Sequence, residues 1–124
     1  MDCSILLVDD SKVTRKIIKK ILNELLKEKI SSFTEAGNGV EALNLCRQNN
    51  FDLMFLDLTM PEMTGYEFLE ALMEEGIKSN IIVLSADIQP EAESRVKKLG
   101  AREFLQKPID KKEAINALKR MSIL

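Results

Sequence analysis

Residues 51–61 read Phe51-Asp52-Leu53-Met54-Phe55-Leu56-Asp57-Leu58-Thr59-Met60-Pro61, FDLMFLDLTMP in one-letter code. Four large apolar residues run directly into Asp57, and Pro61 follows four places later. A continuous apolar run this short suits a strand covered on both faces, which is the habit of strands in parallel sheets. An acid at the end of such a strand is costly to place, so its surroundings hold the key to the chain.

The same pattern recurs on either side. Ser4-Ile5-Leu6-Leu7-Val8 and Asn80-Ile81-Ile82-Val83-Leu84 are again short and apolar throughout, a weaker strand is expected around Ser32–Ala36, and a short one at Arg102–Gln106. Helical periodicity fills the gaps. From Lys12 to Lys29, Val13, Ile17, Ile18, Ile21, Leu22, Leu25 and Leu26 draw one apolar stripe, with Asp10 or Ser11 as N-cap and lysines on the wet side. Further helices are expected at about Val40–Arg47, entered through Gly37-Asn38-Gly39, and at Gly65–Glu75, closed by Gly76. Two more follow, Pro90–Leu99, started by its proline and ended by Gly100, and Lys111–Met121. Met54, Met60, Met63 and Met73 read as core or loop packing, and Cys46 as small apolar filler on the second helix. Five strand signals alternating with five helix signals predict an α/β, doubly wound (βα)5 three-layer sandwich over a five-stranded parallel sheet, one domain spanning residues 1–124.

Composition removes whole classes of function. With 124 residues, 45% hydrophobic and 31% charged, the chain suits a single soluble domain. A net charge of −2 supplies no basic field for nucleic acid or anionic lipid, and no apolar run approaches the roughly 20 residues that span a bilayer. The amino terminus MDCSILLVDD lacks the basic start of a signal peptide, and Cys3 and Cys46 fall in no metal spacing, so a cytoplasmic protein with reduced thiols is expected. There is no histidine. The usual general base, the usual zinc ligand and every Ser-His or Cys-His nucleophile pair are therefore excluded.

In a parallel sheet all strands point one way, and ligands gather beyond their carboxyl ends. Those positions here hold Asp9 and Asp10, then Asp57, then Ser85-Ala86-Asp87, then Lys107-Pro108. Two carboxylates about 4 Å apart repel by roughly 4 kcal/mol at an effective dielectric near 20. Such a cluster requires raised carboxyl pKa values or a cation, and an all-oxygen donor set suits Mg²⁺, with Mn²⁺ as the close alternative. With the ammonium of Lys107 and the hydroxyl of Ser85, these are parts for holding a phosphoryl group that an aspartate can carry covalently. Each residue alone has an ordinary reading as a turn, a cap or a surface charge; only their joint placement points to a site.

The acidic pair Asp9-Asp10, Asp57 within DLTMPEMTG, Ser85-Ala86, and Lys107-Pro108 preceded by Phe104 resemble, in order and spacing, the receiver domain of two-component response regulators. The likeness is greatest to stand-alone chemotaxis-type, CheY-like members, and it covers the chain from Ile5 to the last helix. The resemblance implies a flavodoxin-like sheet of order 2-1-3-4-5. It implies that Asp57 is the phosphoacceptor, taking its group from a phosphohistidine of a sensor histidine kinase or phosphotransfer protein. Asp10 would bind Mg²⁺ directly, Asp9 mainly through water, and the backbone carbonyl of Thr59 would be a further ligand beside Asp57. Lys107 and Ser85 would hold phosphoryl oxygens, Phe104 would be the switch aromatic, and the Lys107–Pro108 bond would be cis. Thr59 and Asp87 would tune the attack of water on the acyl phosphate, leaving at most slow self-dephosphorylation rather than enzyme activity on another substrate.

Two departures are visible. Phe104 stands where flagellar-motor-binding relatives carry tyrosine, and Ser85 where threonine is commoner. Output is expected through protein–protein contact, on a face built from the fourth helix, fifth strand and fifth helix. No recognition helix for DNA is visible, and a monomer is expected, with weak dimerisation on phosphorylation as the alternative. A phosphorelay intermediate, a receiver cut from a longer regulator and a non-switching scaffold remain alternatives. Other doubly wound families fit worse. A P-loop needs GxxxxGK[ST], an FMN binder needs a hydroxyl-rich first loop, and a haloacid-dehalogenase-type phosphatase needs a second acid where Thr59 stands.

Overall fold

A computed structural model describes residues 2–86 and 89–124. The strands are β1 (Cys3–Val8), β2 (Ile30–Ala36), β3 (Leu53–Asp57), β4 (Asn80–Ser85) and β5 (Glu103–Gln106). The helices are α1 (Lys12–Leu26), α2 (Gly39–Gln48), α3 (Gly65–Glu74), α4 (Pro90–Lys98) and α5 (Lys111–Arg120). All neighbouring strands pair in parallel, in the order β2-β1-β3-β4-β5, as the resemblance implied.

The alternation of side chains along each strand divides the core in two. Leu6, Val8, Met54, Leu56, Ile81 and Val83 face α2, α3 and α4, where they meet Ala42, Leu43, Cys46, Phe68, Leu69, Leu72 and Val96. Ile5, Leu7, Leu53, Phe55, Ile82 and Leu84 face the other way, onto Ile18, Leu22 and Leu26 of α1 and Ala117 and Leu118 of α5. Both faces of the three central strands are thus covered, which is why their sequences are apolar without interruption.

Local signals set the boundaries. Ser11, rather than Asp10, caps α1, its hydroxyl accepting from the Thr14 amide at 3.2 Å. Thr64 and Glu67 form a reciprocal capping box on α3. Gly65 is required by close approach: a Cβ there would sit 2.7 Å from the Leu58 Cα. The segment after β3 is thereby pressed against the start of α3, and Gly65 N–H donates to the Leu58 carbonyl at 2.9 Å.

Four expectations need correction. The first helix ends at Leu26, not Lys29, because Lys27 adopts φ +48° and residues 27–29 tighten into a 3-10 turn that leads directly into β2 at Ile30. β3 begins at Leu53 rather than Phe51 and includes Asp57, which pairs in register with Leu84 instead of lying past the strand. The single stripe on α1 is in fact two rows. Ile18, Leu22 and Leu26 lie at i, i+4 and i+8 against the sheet, while Val13 and Ile17, rotated about 100° or more from that row, are 67% and 46% exposed. Met73 is exposed on α3, unlike buried Met54 and Met60.

Candidate functional site

The carboxyl ends of β1, β3, β4 and β5 converge on one edge of the sheet. Asp9 follows β1 directly and is held there by its amide, which donates to the Ala36 carbonyl of β2 at 3.1 Å. Its side chain is buried and both oxygens are engaged: Oδ1 accepts from the Ser11 amide at 2.9 Å, and Oδ2 lies 2.9 Å from Lys107 Nζ. Asp57, also buried, places Oδ1 at 3.3 Å from the same ammonium and at 3.2 Å from the Thr59 amide, which donates to it. Asp10 is exposed, yet it brings a carboxylate oxygen into the same group. Ligand atoms of Asp9, Asp10 and Asp57 all lie within 4.8 Å of one another, and no other such acidic group of three occurs among the described residues.

Lys107 reaches the pocket because β5 ends beside β4: its amide donates to the Ser85 carbonyl at 2.8 Å, and the Lys107–Pro108 peptide is cis, as expected. Its ammonium does not point into bulk solvent but bridges the two buried acids. It lies closer to Asp9 than to the expected nucleophile.

The electrostatics are strained. Burial raises the pKa of Asp57, and the neighbouring Asp9 charge raises it further; Lys107 and the Thr59 amide oppose both without cancelling them. Burial works against the charge of Lys107, but hydrogen bonding to Asp9 and the charges of both acids outweigh it, so its pKa is raised. One ammonium is therefore shared by two buried carboxylates, with a third at the rim. This deficit of positive charge and the all-oxygen donor set fit a hard divalent ion held by Asp9, Asp10 and Asp57.

Ser85 is buried at the end of β4 and lines a cleft of about 230 Å³ with Leu58, Thr59, Met60, Thr64 and Tyr66. Thr59 is exposed at the mouth of the site. Phe104 lies half-buried on β5, opposite Val83 in register, packed against the cluster on the α4 side. Asp87 lies outside the described residues.

Two charged residues at this edge, Arg15 and Glu35, escaped the reading of the sequence. Arg15 donates through Nη1 to the Asp9 carbonyl and through Nε to Glu35 Oε1 at 3.0 Å, while Lys19 reaches Glu35 Oε2 at 3.3 Å. The available signal was modest: Arg15 is the single arginine on a helix otherwise furnished with lysines.

Comparison with known proteins identifies the family. The family model described as the response regulator receiver domain matches residues 5–119. The chemotaxis protein CheY of Thermotoga maritima is 32% identical over 118 residues, covering 95% of this chain and 96% of the relative. CheY of Listeria monocytogenes is 34% identical over 116 residues, covering 94% and 95%. Among solved structures, the CheX–CheY–BeF3–Mg²⁺ complex from Borrelia burgdorferi contains a chain that superposes with a TM-score of 0.88 at 27% identity, over 98% of this chain and 90% of that one. The receiver domain of the Francisella response regulator 1452 gives a TM-score of 0.78 at 31% identity, over 97% and 99%. With the sheet order, the cis peptide and the acid–lysine cluster already in place, the chain belongs to the response regulator receiver domains and is CheY-like.

Proposed function

We propose that this domain is a phosphoacceptor whose nucleophile is Asp57. The observation that carries the reading is the shared ammonium: Lys107 Nζ at 2.9 Å from Asp9 and 3.3 Å from Asp57, with the Asp10 carboxylate in the same group. A phosphoryl group brings two to three anionic oxygens to a place that already has a fixed cation and a hydroxyl.

In the proposed reaction a carboxylate oxygen of Asp57 forms a bond to phosphorus as the P–N bond of a donor phosphohistidine breaks. The bonding pair stays on the imidazole nitrogen. Lys107 neutralises a phosphoryl oxygen and Ser85 donates its hydroxyl to another. Asp10 and Asp57, with the Thr59 carbonyl, would hold Mg²⁺ (or Mn²⁺), and Asp9, whose oxygens are already engaged by Ser11 and Lys107, acts chiefly through water. When bound, the ion offsets the charge that accumulates on the transferring group.

The donor is a sensor histidine kinase or phosphotransfer protein, and the readout is contact with a downstream protein. Ser85 shifts toward the phosphoryl group, with the cleft beside it as room to move, and Phe104 turns inward from its half-buried position, altering the face formed by α4, β5 and α5. Couplings of about 1–3 kcal/mol are typical of such two-state elements. The CheX–CheY–BeF3–Mg²⁺ complex is a precedent for a CheY relative engaging a protein partner. Incubation with Mg²⁺ and a small-molecule phosphoryl donor tests the assignment: intact-mass spectrometry should show one added phosphoryl group on the wild type and none on Asp57→Asn. Equal labelling of the two would place the nucleophile elsewhere.

A further inference from the structure

Asp10 is the exposed member of the acidic group. It follows Asp9, so the planar peptide that contains the Asp9 carbonyl also contains the Asp10 nitrogen and Cα. Whatever fixes that carbonyl fixes the peptide plane and with it the place of the Asp10 Cα, so that only the torsions of Asp10 itself are left to bring its carboxylate into the group. In this structure the carbonyl accepts from Arg15 Nη1.

Arg15 is itself held. Its side chain is only 12% exposed, its amide donates to the Ser11 carbonyl at 3.1 Å as part of the first turn of α1, and its Nε donates to Glu35 Oε1 at 3.0 Å. Glu35 belongs to β2, where it is in register with Leu7 of β1. Gly37, just beyond β2, leaves space next to the guanidinium: a Cβ built there would have Arg15 Nη1 as its nearest neighbour, at 4.0 Å. One planar, rigid fork thus ties the end of β1, the end of β2 and the start of α1. The charge it brings close to an acidic pocket is balanced by Glu35. Burial opposes ionisation of that carboxyl, but hydrogen bonds from Arg15 and Lys19 outweigh it and leave its pKa lowered.

We propose that Arg15 is a positioning residue for the divalent-cation site: through the Asp9 carbonyl it aims Asp10 at Asp57, and Glu35 holds the guanidinium in register and cancels its charge. The inference rests on reading the acidic group as a Mg²⁺ site. Its distinguishing feature is directional, because a site that needed only net charge would bind Mg²⁺ better without Arg15.

The test is the Mg²⁺ dissociation constant, measured by calorimetry on the whole domain in the absence of any phosphoryl donor, together with melting temperatures in EDTA. Arg15→Lys keeps the charge and loses the fork; groups that orient metal ligands typically carry 10–100-fold in affinity, and a weakening of roughly tenfold is expected. Arg15→Gln should weaken binding to a similar extent, although it removes a positive charge. Glu35→Gln keeps an acceptor for Nε and should weaken binding by only about twofold, through the uncompensated guanidinium. The Asp10 amide resonance should shift in apo Arg15→Lys, a local signature that a general loss of stability would not produce. Wild-type affinity in Arg15→Lys, or tighter binding in Arg15→Gln, would overturn the positioning role while leaving the Mg²⁺ site intact. No Mg²⁺ binding by the wild type would remove both. Should Arg15→Gln fail to fold, Arg15→Lys against Glu35→Gln decides alone.

Discussion

Asp52 and Asp57 bracket the same strand and meet opposite treatment. Asp52, before β3, is exposed and surrounded by neutral donors: its Oδ2 accepts from the Ser4 amide at 2.9 Å and the Ser4 hydroxyl at 3.1 Å. Its backbone carbonyl takes Asn80 Nδ2 at 3.0 Å, and its amide donates to the Ser4 carbonyl at 2.9 Å. That end of the sheet is tied by ordinary hydrogen bonds with the charge left in water. At the other end of β3, Asp57 is buried beside a second buried acid, and one lysine serves both. Four residues separate a carboxylate that serves the fold from one that strains it. The lesson is that the strained end is where a ligand has something to contribute.

Four measurements sharpen the contrast, beginning with the largest effect. Asp57→Asn should abolish phosphoryl labelling, whereas Asp52→Asn should leave it at the wild-type level. Lys107→Gln should come next. It leaves Asp9 and Asp57 facing each other without a cation, so the metal-free domain should lose about 1–2 kcal/mol, discounted for the partial exposure of the lysine. Mg²⁺ should then raise its melting temperature by more than it raises that of the wild type, because the ion enters a more negative site.

Third is a gain. The raised pKa of Asp57 means that its ionised form is disfavoured in the folded state. Both folded and unfolded chains hold the proton well below the ordinary carboxyl value of about 3.9; above it the unfolded chain ionises first, so stability falls as pH rises toward the folded pKa. Asp57→Asn should therefore melt higher than the wild type at neutral pH in EDTA, and the difference should vanish in acid. The smallest effect belongs to the other end. Asp52→Asn should cost about 0.5–1 kcal/mol through its bonds to Ser4, with Mg²⁺ affinity unchanged. Chemical denaturation with and without Mg²⁺ measures all three stability changes.

Much of this was legible before any fold was known. The uninterrupted apolar runs at residues 5–8, 53–56 and 81–84 announced strands covered on both faces, and the order of acids, serine and lysine after those runs announced the edge where they meet. Other features were less readable. The stripe on α1 looked continuous because Val13 and Ile17 have the right spacing for a helix, but spacing does not say which row the sheet touches. The end of α1 was misplaced because Lys27 is no helix breaker by type; its positive φ is imposed by the turn into β2. Arg15 drew no notice because an arginine among lysines becomes distinctive only when its fork finds two acceptors, and those acceptors, the Asp9 carbonyl just past β1 and Glu35 on β2, come from different parts of the sheet.

Local chemistry by itself determined the α/β class, the absence of histidine chemistry, the residues at the strand ends and the family they resemble, because hydrophobic period, turn residues and donor types are properties of short segments. Tertiary structure alone decided that Lys107 lies nearer Asp9 than Asp57, that Asp57 closes its strand rather than following it, and that Arg15 grips the peptide ahead of Asp10. Those outcomes depend on distances between residues up to about a hundred positions apart, and only the packing of helices onto a parallel sheet brings such residues within reach of one another.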